Sequence, residues 1–277
     1  MKGAWITNAL LLLAVAALAS FVAFKPRGEP GAHRLSRLQP KEAKRIVLER
    51  TGDPAIVMER KADGWLITAP LSARADAFQA ERLLAILDAA TAHRLPAQDL
   101  ARFELDRPFA RVMIDGETFS YGAINAVTRE QYVLTAQAVY ALPARYRTML
   151  PANVSQLIHK QLLESGELPV RFEFRDFTVA RGEKGWRVQP APGEVSQDDI
   201  HRWVDGWRHA AALRVEPYAG DKAVDTIAIE LRDGKRLELE VLQKTPELMI
   251  GRPDAKLRYH FAAQAARELL APPGSRH

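Results

Sequence analysis

Gly64-Trp65-Leu66-Ile67, with Pro70 close behind, returns as Gly185-Trp186-Arg187-Val188 with Pro190 and Pro192 close behind, and the two quartets lie about 120 residues apart. Each is followed by a stretch with helical apolar spacing. Further on, Asp115-Gly116 between two strand-like runs returns as Asp233-Gly234, and Tyr140-Ala141-Leu142 returns as Tyr259-His260-Phe261. The pattern that runs from about Ile46 to Leu150 therefore recurs from about Val170 to Leu270. The sequence predicts two tandem copies of one scaffold, 28–150 and 151–277, behind an N-terminal segment 1–27.

Each copy opens with a meander. Ile46-Val47-Leu48 leads through Thr51-Gly52-Asp53-Pro54 to Ala55-Ile56-Val57-Met58, and Ala62-Asp63-Gly64 turns the chain into Trp65-Leu66-Ile67-Thr68. Its counterpart is Val170 to Phe174, Phe177 to Val179 and Gly185 to Val188. A helix follows in each copy, read from Phe78, Arg82, Leu83, Ile86, Leu87 and Ala90, and from Ile200, Trp203, Val204, Trp207, Ala210 and Ala211. Ser196 followed by Asp199 marks the start of the second helix. Next comes a strand pair around each Asp-Gly. In the second copy, Leu231 opposite Leu237, Ile229 opposite Leu239 and Ile227 opposite Val241 gathers the apolar residues on one face and predicts the loop Asp233-Gly234-Lys235. Two short strands close each copy. Between copies, Pro143 and Pro151 bracket a helical piece, and Ser155 to Glu164 reads as a further helix. The fold class is thus α+β: two similar units, each a mainly antiparallel meander sheet covered by one main helix.

Trp5 to Phe24 carries no charge and is long enough to cross a bilayer core, so one transmembrane helix is expected to precede the body. A signal peptide cut after Ala17-x-Ala19 is the competing reading, disfavoured because Phe21 to Phe24 continues the apolar run. Lys25, Arg27, Arg34 and Arg37 would by themselves hold the body in the cytoplasm, whereas a short N-terminal tail before a single apolar segment is the export layout. The body is expected in the periplasm, tethered to the bacterial inner membrane. Residues 25–40, with Pro26, Gly28, Pro30, Gly31 and Pro40, read as an extended spacer. A net charge of +5 spread among acidic residues does not point to nucleic acid, and the absence of cysteine removes thiol chemistry and thiolate metal sites.

Three constellations could carry chemistry. His201, Asp205 and His209 step by four along the second helix and could share a metal, although the same spacing describes a solvated flank beside Trp203 and Trp207. Glu230 and Glu238 would be opposed in the pairing above and could divide acid and base roles; Arg232 and Arg236 nearby favour a charge-balanced outer face. Trp65, Trp186, Trp203 and Trp207 could stack a ligand, but their positions suit a core. Phosphate-loop, nucleophile-elbow, zinc-helix and dinucleotide motifs are missing.

Gly64-Trp65-Leu66-Ile67-Thr68-Ala69-Pro70 and Phe103-Glu104-Leu105-Asp106-Arg107-Pro108, together with the anchor and the paired meander units, resemble an uncharacterised bacterial envelope family, a membrane-anchored domain of unknown function. Its members are often associated with auxiliary ABC-transporter components of the gliding-motility type. The resemblance implies an envelope setting and a transporter-related partner, and it carries over no catalytic residue. The expected function is a non-enzymatic, membrane-tethered interaction or accessory module without a cofactor, its partner another membrane or envelope protein. A small-molecule or glycan-binding module using the cleft between the units is the second reading, and a hydrolase the third.

Overall fold

The computed structural model describes residues 31–190, 193 and 195–275, together with Leu12. The expected membrane helix over Trp5 to Phe24 lies otherwise outside the described residues; among those described, no helix is long and apolar enough to cross a membrane. The first half runs β1 (His33–Arg34), β2 (Arg45–Arg50), β3 (Ile56–Lys61), β4 (Gly64–Ala69), β5 (Ala73–Arg74), α1 (Ala77–Leu84), β6 (Ala90–Thr91), β7 (Arg94–Leu95), β8 (Ala110–Ile114), β9 (Glu117–Ile124), β10 (Glu130–Leu134), β11 (Val139–Pro143) and α2 (Arg145–Thr148). The second runs β12 (Pro169–Glu173), β13 (Thr178–Gly182), β14 (Gly185–Gln189), α3 (Gln197–Arg208), β15 (Arg214–Pro217), β16 (Asp225–Leu231), β17 (Arg236–Gln243), β18 (Leu248–Arg252), β19 (Leu257–Phe261) and α4 (Ala263–Leu270).

These strands build two large antiparallel sheets in an α+β fold. The nine-stranded sheet has the order β5-β4-β3-β2-β8-β9-β10-β11-β7 and the eight-stranded one β14-β13-β12-β16-β17-β18-β19-β15. With β5 set aside, the two orders coincide strand for strand. In both, a three-strand meander lies beside a four-strand one, and a short strand that follows the helix returns to the far edge. The alternation in the sequence explains the inner faces: Ile46, Leu48, Met58, Ile67, Val112 and Ile114 in one sheet, and Phe172, Val179, Ile227, Ile229, Leu239 and Ile250 in the other, are all at most 2% exposed. One hydrophobic core runs through both halves.

The helices cover those faces with some corrections to the sequence reading. In α1 the inward residues are Ala80, Leu83 and Leu84, continued by Ile86 and Leu87 in a 3-10 turn, while Phe78 is 65% exposed. Asp76 and Ser196 cap the two helices in the same way, each accepting from the backbone N–H three residues on. The spacer does not hold the body at a distance along its whole length. His33 pairs with Thr91 and Arg34 with Ala90, and Leu35 and Ser36 are buried, because the short β6 offers an edge and the core offers a place for Leu35.

The helix expected over Ser155 to Glu164 is also absent as such: a 3-10 turn covers Val154–Gln156, and the chain then runs extended. The reason is tertiary. Asp76 and His159 exchange backbone hydrogen bonds with Leu157 and Arg74 on one side, and Leu162 and Ala212 do so with Ala210 and Lys160 on the other. Ala75 is bridged to Ile158 and Gln161 to Ala211, so the connection acts as a strand between the β5 edge of one sheet and the residues entering β15 of the other. Two sheet edges that would otherwise bind water outweigh the weak helical preference of ten residues.

The β16–β17 register differs from expectation by two residues. Ile229 faces Leu237, Ile227 faces Leu239 and Asp225 faces Val241, and the chain turns over Arg232-Asp233-Gly234, with Leu231 N–H donating to Lys235 O. A slip of two keeps every side chain on its face, so the apolar pattern alone does not distinguish the two pairings.

Candidate functional site

The four tryptophans whose positions suit a core are all buried in it, each at most 8% exposed. The Phe172 ring lies with its centroid 6.3 Å from that of Trp186, 4.9 Å from Trp203 and 5.6 Å from Trp207. The indole N–H groups of Trp203 and Trp207 donate to Ala271 O and Leu269 O, at 2.9 and 3.1 Å. These carbonyls belong to the C-terminal end of α4, where intrahelical donors run out, so α3 caps α4 through its indoles.

His201, Asp205 and His209 line the exposed flank of α3, and two of the three are engaged by other partners. His209 Nδ1 lies 2.9 Å from the Asp205 backbone O, and the Asp205 carboxylate pairs with Arg208 at 3.2 Å. Among the described residues no group of three or more metal-ligating side chains converges. Glu230 and Glu238 are not opposed: Glu230 faces Arg236 and Glu238 faces Ala228, which follows from the shifted register.

What the outer face of the second sheet does carry is an ordered set of ion pairs. Arg236 reaches Glu173 at 2.6 Å and Glu230 at 3.4 Å, and Arg171 reaches Glu173 at 2.7 Å. The hydrogen bond from Arg171 and then that from Arg236 hold the Glu173 carboxyl below its ordinary pKa. Toward the other edge, β15 presents Arg214 and Glu216 and β19 presents Arg258 and His260. Glu216 pairs with Arg214 at 2.8 Å and Arg258 at 2.9 Å. Burial opposes ionisation of Glu216, yet the Arg258 hydrogen bond and the neighbouring Arg214 and His260 keep its pKa below the usual value. His260 is 3% exposed. Its Nδ1 lies 2.9 Å from both Glu247 Oε1 and Arg214 Nη2, and its Nε2 lies 3.3 Å from Glu216 Oε2. Beside this group the Tyr218 hydroxyl donates to Glu240, and burial, then Glu240, pushes the phenol up to about 12.

Sequence reasoning missed this cluster, although its signal was legible: Arg214-x-Glu216 and Arg258-x-His260 are polar alternations on strands that prove to be neighbours. The first unit holds a reduced version. Ala141 N–H donates to His93 O as the β7 and β11 strands meet, so His93 stands where Arg214 stands, and it pairs with Glu130 at 2.8 Å as Arg214 pairs with Glu247 at 3.6 Å. The neighbouring outer positions there are apolar, with Phe103, Leu105 and Val139 forming a satellite core against Tyr132.

One cavity, of about 140 Å³, lies where the units meet, lined by Leu48, Ile56 and Pro70 of the first and by Ala152, Asn153 and Val154 of the second, and two others are each lined by one half alone. A groove of about 930 Å³ is lined wholly by the first half, by residues 34–37, 116–120 and 134–137. A second, of about 320 Å³, lies beside α3 and is lined by Trp186, His201, Asp205, Arg208 and Arg232 among others.

A family model described as "Domain of unknown function (DUF4340)" matches residues 65–233. The match begins at the first Gly-Trp turn, crosses the strand-like connection and ends in the β16–β17 turn. No curated protein and no solved structure matches the chain.

Proposed function

The chain belongs to the DUF4340 family, and from that premise we propose that it is a non-enzymatic, membrane-tethered accessory module of the bacterial envelope that docks a membrane or envelope protein, a transporter component being the first to test. The observation that carries the reading is the ion-pair array on the outer face of the second sheet, from Arg171 and Glu173 to Arg214 and Glu247. Arginine and glutamate side chains that already hold one another lose little further freedom on docking, and an alternating pattern of charge selects a partner with the opposite pattern. Tethering through the uncharged segment before residue 25 would raise the effective concentration for a neighbour in the same membrane, so that a modest interface suffices. The duplicated scaffold supports the reading too. Its second copy shares the strand order of the first and carries charged groups where the first carries an apolar outer patch, so the two copies present different surfaces on one scaffold.

The test uses the full chain in its native membrane with a photo-cross-linking side chain at Glu238, exposed on the array, or at Phe78, exposed elsewhere. The expected result is a discrete adduct from position 238 and none from 78. It should weaken at high ionic strength and vanish when Arg236→Glu and Arg258→Glu are combined. An adduct indifferent to both charge reversals, or equal adducts from the two positions, would overturn the proposal.

A further inference from the structure

The two halves can be compared at the end of the sheet where the entering segment crosses. In the second half this place is filled. Arg252, 5% exposed, donates to Leu162 O at 2.8 Å, to both Glu167 oxygens at 2.9 Å and to Asp254 at 2.7 Å. The strand thus supplies the cation and the entering segment supplies the carboxylate.

In the first half the equivalence is fixed by pairing. Leu134 faces Val139 as Gly251 faces Arg258, so the next residue, Thr135, stands where Arg252 stands. The entering segments also correspond, since Asp115 N–H donates to Arg45 O as Arg232 N–H donates to Leu168 O. Here the polarity is reversed. The segment brings two cations, Arg34 and Arg37, and the strand position carries a hydroxyl in place of a charge. Arg34 reaches Asp88 at 3.4 Å, with both side chains more than half exposed, and among the described residues Arg37 makes no ion pair. The space occupied by Arg252 and its partners in one half is an open groove of about 930 Å³ in the other, within the range of small-molecule sites.

The lining defines the ligand. Ser36 and Ser120, both under 9% exposed, line the groove with Thr118, Thr135 and Gln137; the Ser36 and Thr135 hydroxyls already accept from Leu38 N–H and Gln137 N–H, and Thr118, Ser120 and Gln137 carry the remaining polar groups of the wall. Glu117 stands at the same wall and disfavours a highly charged polyanion, while its oxygens can accept from ligand hydroxyls. We infer that this groove binds a small hydroxylated anion of the acidic-sugar class, its carboxylate received by Arg37 and Arg34 and its hydroxyls by the serine, threonine and glutamine side chains. The inference is independent of the docking face proposed above, which lies on the other sheet.

Calorimetric titration of the full chain in detergent with D-glucuronate, D-glucose and acetate tests it. Glucuronate is expected to bind and the two fragments of its chemistry to bind at least about tenfold more weakly, the order of one charge-assisted hydrogen bond. Arg37→Gln should weaken glucuronate by about tenfold or more, and Ala136→Trp, a filled groove with unchanged charge at an exposed turn, should abolish binding. No heat with glucuronate, affinity for acetate equal to that for glucuronate, or wild-type affinity in both variants would each overturn the assignment.

Discussion

Gly64 and Gly185 adopt φ of +121° and +114°, a backbone region that a Cβ disfavours, and each turns the chain into a strand that begins with a buried tryptophan. Replacement by alanine is expected to cost about 1 kcal/mol at Gly64, where nothing lies within 4 Å of the added carbon. It should cost more at Gly185, where the new Cβ would lie 2.5 Å from Gln197 Oε1. That amide cannot withdraw freely, because it accepts from Trp186 N–H and donates to Trp186 O at 3.1 and 2.8 Å. Urea melts of the two variants would rank them, and a smaller loss at Gly185 would contradict the account. At this scale the sequence was readable where a residue type has one use: a Gly-Trp turn, a serine cap, tryptophans at core spacing. It misled at Phe78, because a short helix admits two apolar stripes, and Ala80, Leu83, Leu84 and Leu87 form the one that is buried.

Strands were legible from alternation, but which residues oppose one another was not, since a shift of two leaves the faces unchanged. The turn residues decided it, and with it the fate of Glu230, which has Arg236 rather than Glu238 across from it. The connection between the halves was misread because its structure is imposed by the two edges it joins. Arg252 is the element-scale consequence that can be measured. Arg252→Met leaves Glu167 and Asp254 without their cation and is expected to lower stability by about 3–5 kcal/mol, the range for breaking a buried pair, with Arg252→Lys recovering part of it. A loss under about 1 kcal/mol in chemical denaturation would show the network to be superficial. His159, in the same connection, accepts from Gln161 N–H through Nδ1, and its pKa is lowered by burial and then by Arg74. A lowered histidine binds its proton more readily unfolded than folded, so stability should decline as pH falls below about 6.5 toward the folded value. His159→Gln should remove that limb of the melting profile; an unchanged limb would assign it elsewhere.

For the whole molecule, the carboxylates Glu173, Glu216, Asp225 and Asp254 all have pKa values lowered by basic neighbours, against the burial each experiences. Their contribution is fully present above the unfolded carboxylate values of about 4 and is lost as pH falls below them through the lowered folded values. The thermal midpoint should therefore drop a second time in that range, and by less after Glu216→Gln. What makes the molecule one body is the stitched connection: two sheets of matching strand order share a strand that belongs to neither. Because the family match spans this junction, its defining segment includes the seam as well as parts of both units.

Hydrogen exchange read at the amides of Asp76, His159, Leu162 and Ala212 reports on the seam itself, because each donates across it to the facing segment. Protection is expected at the level of the central strands β2 and β12, rising and falling with global stability. Exchange at loop rates while those strands stay protected would mean that the halves are separate bodies on a tether, and the central claim would fail.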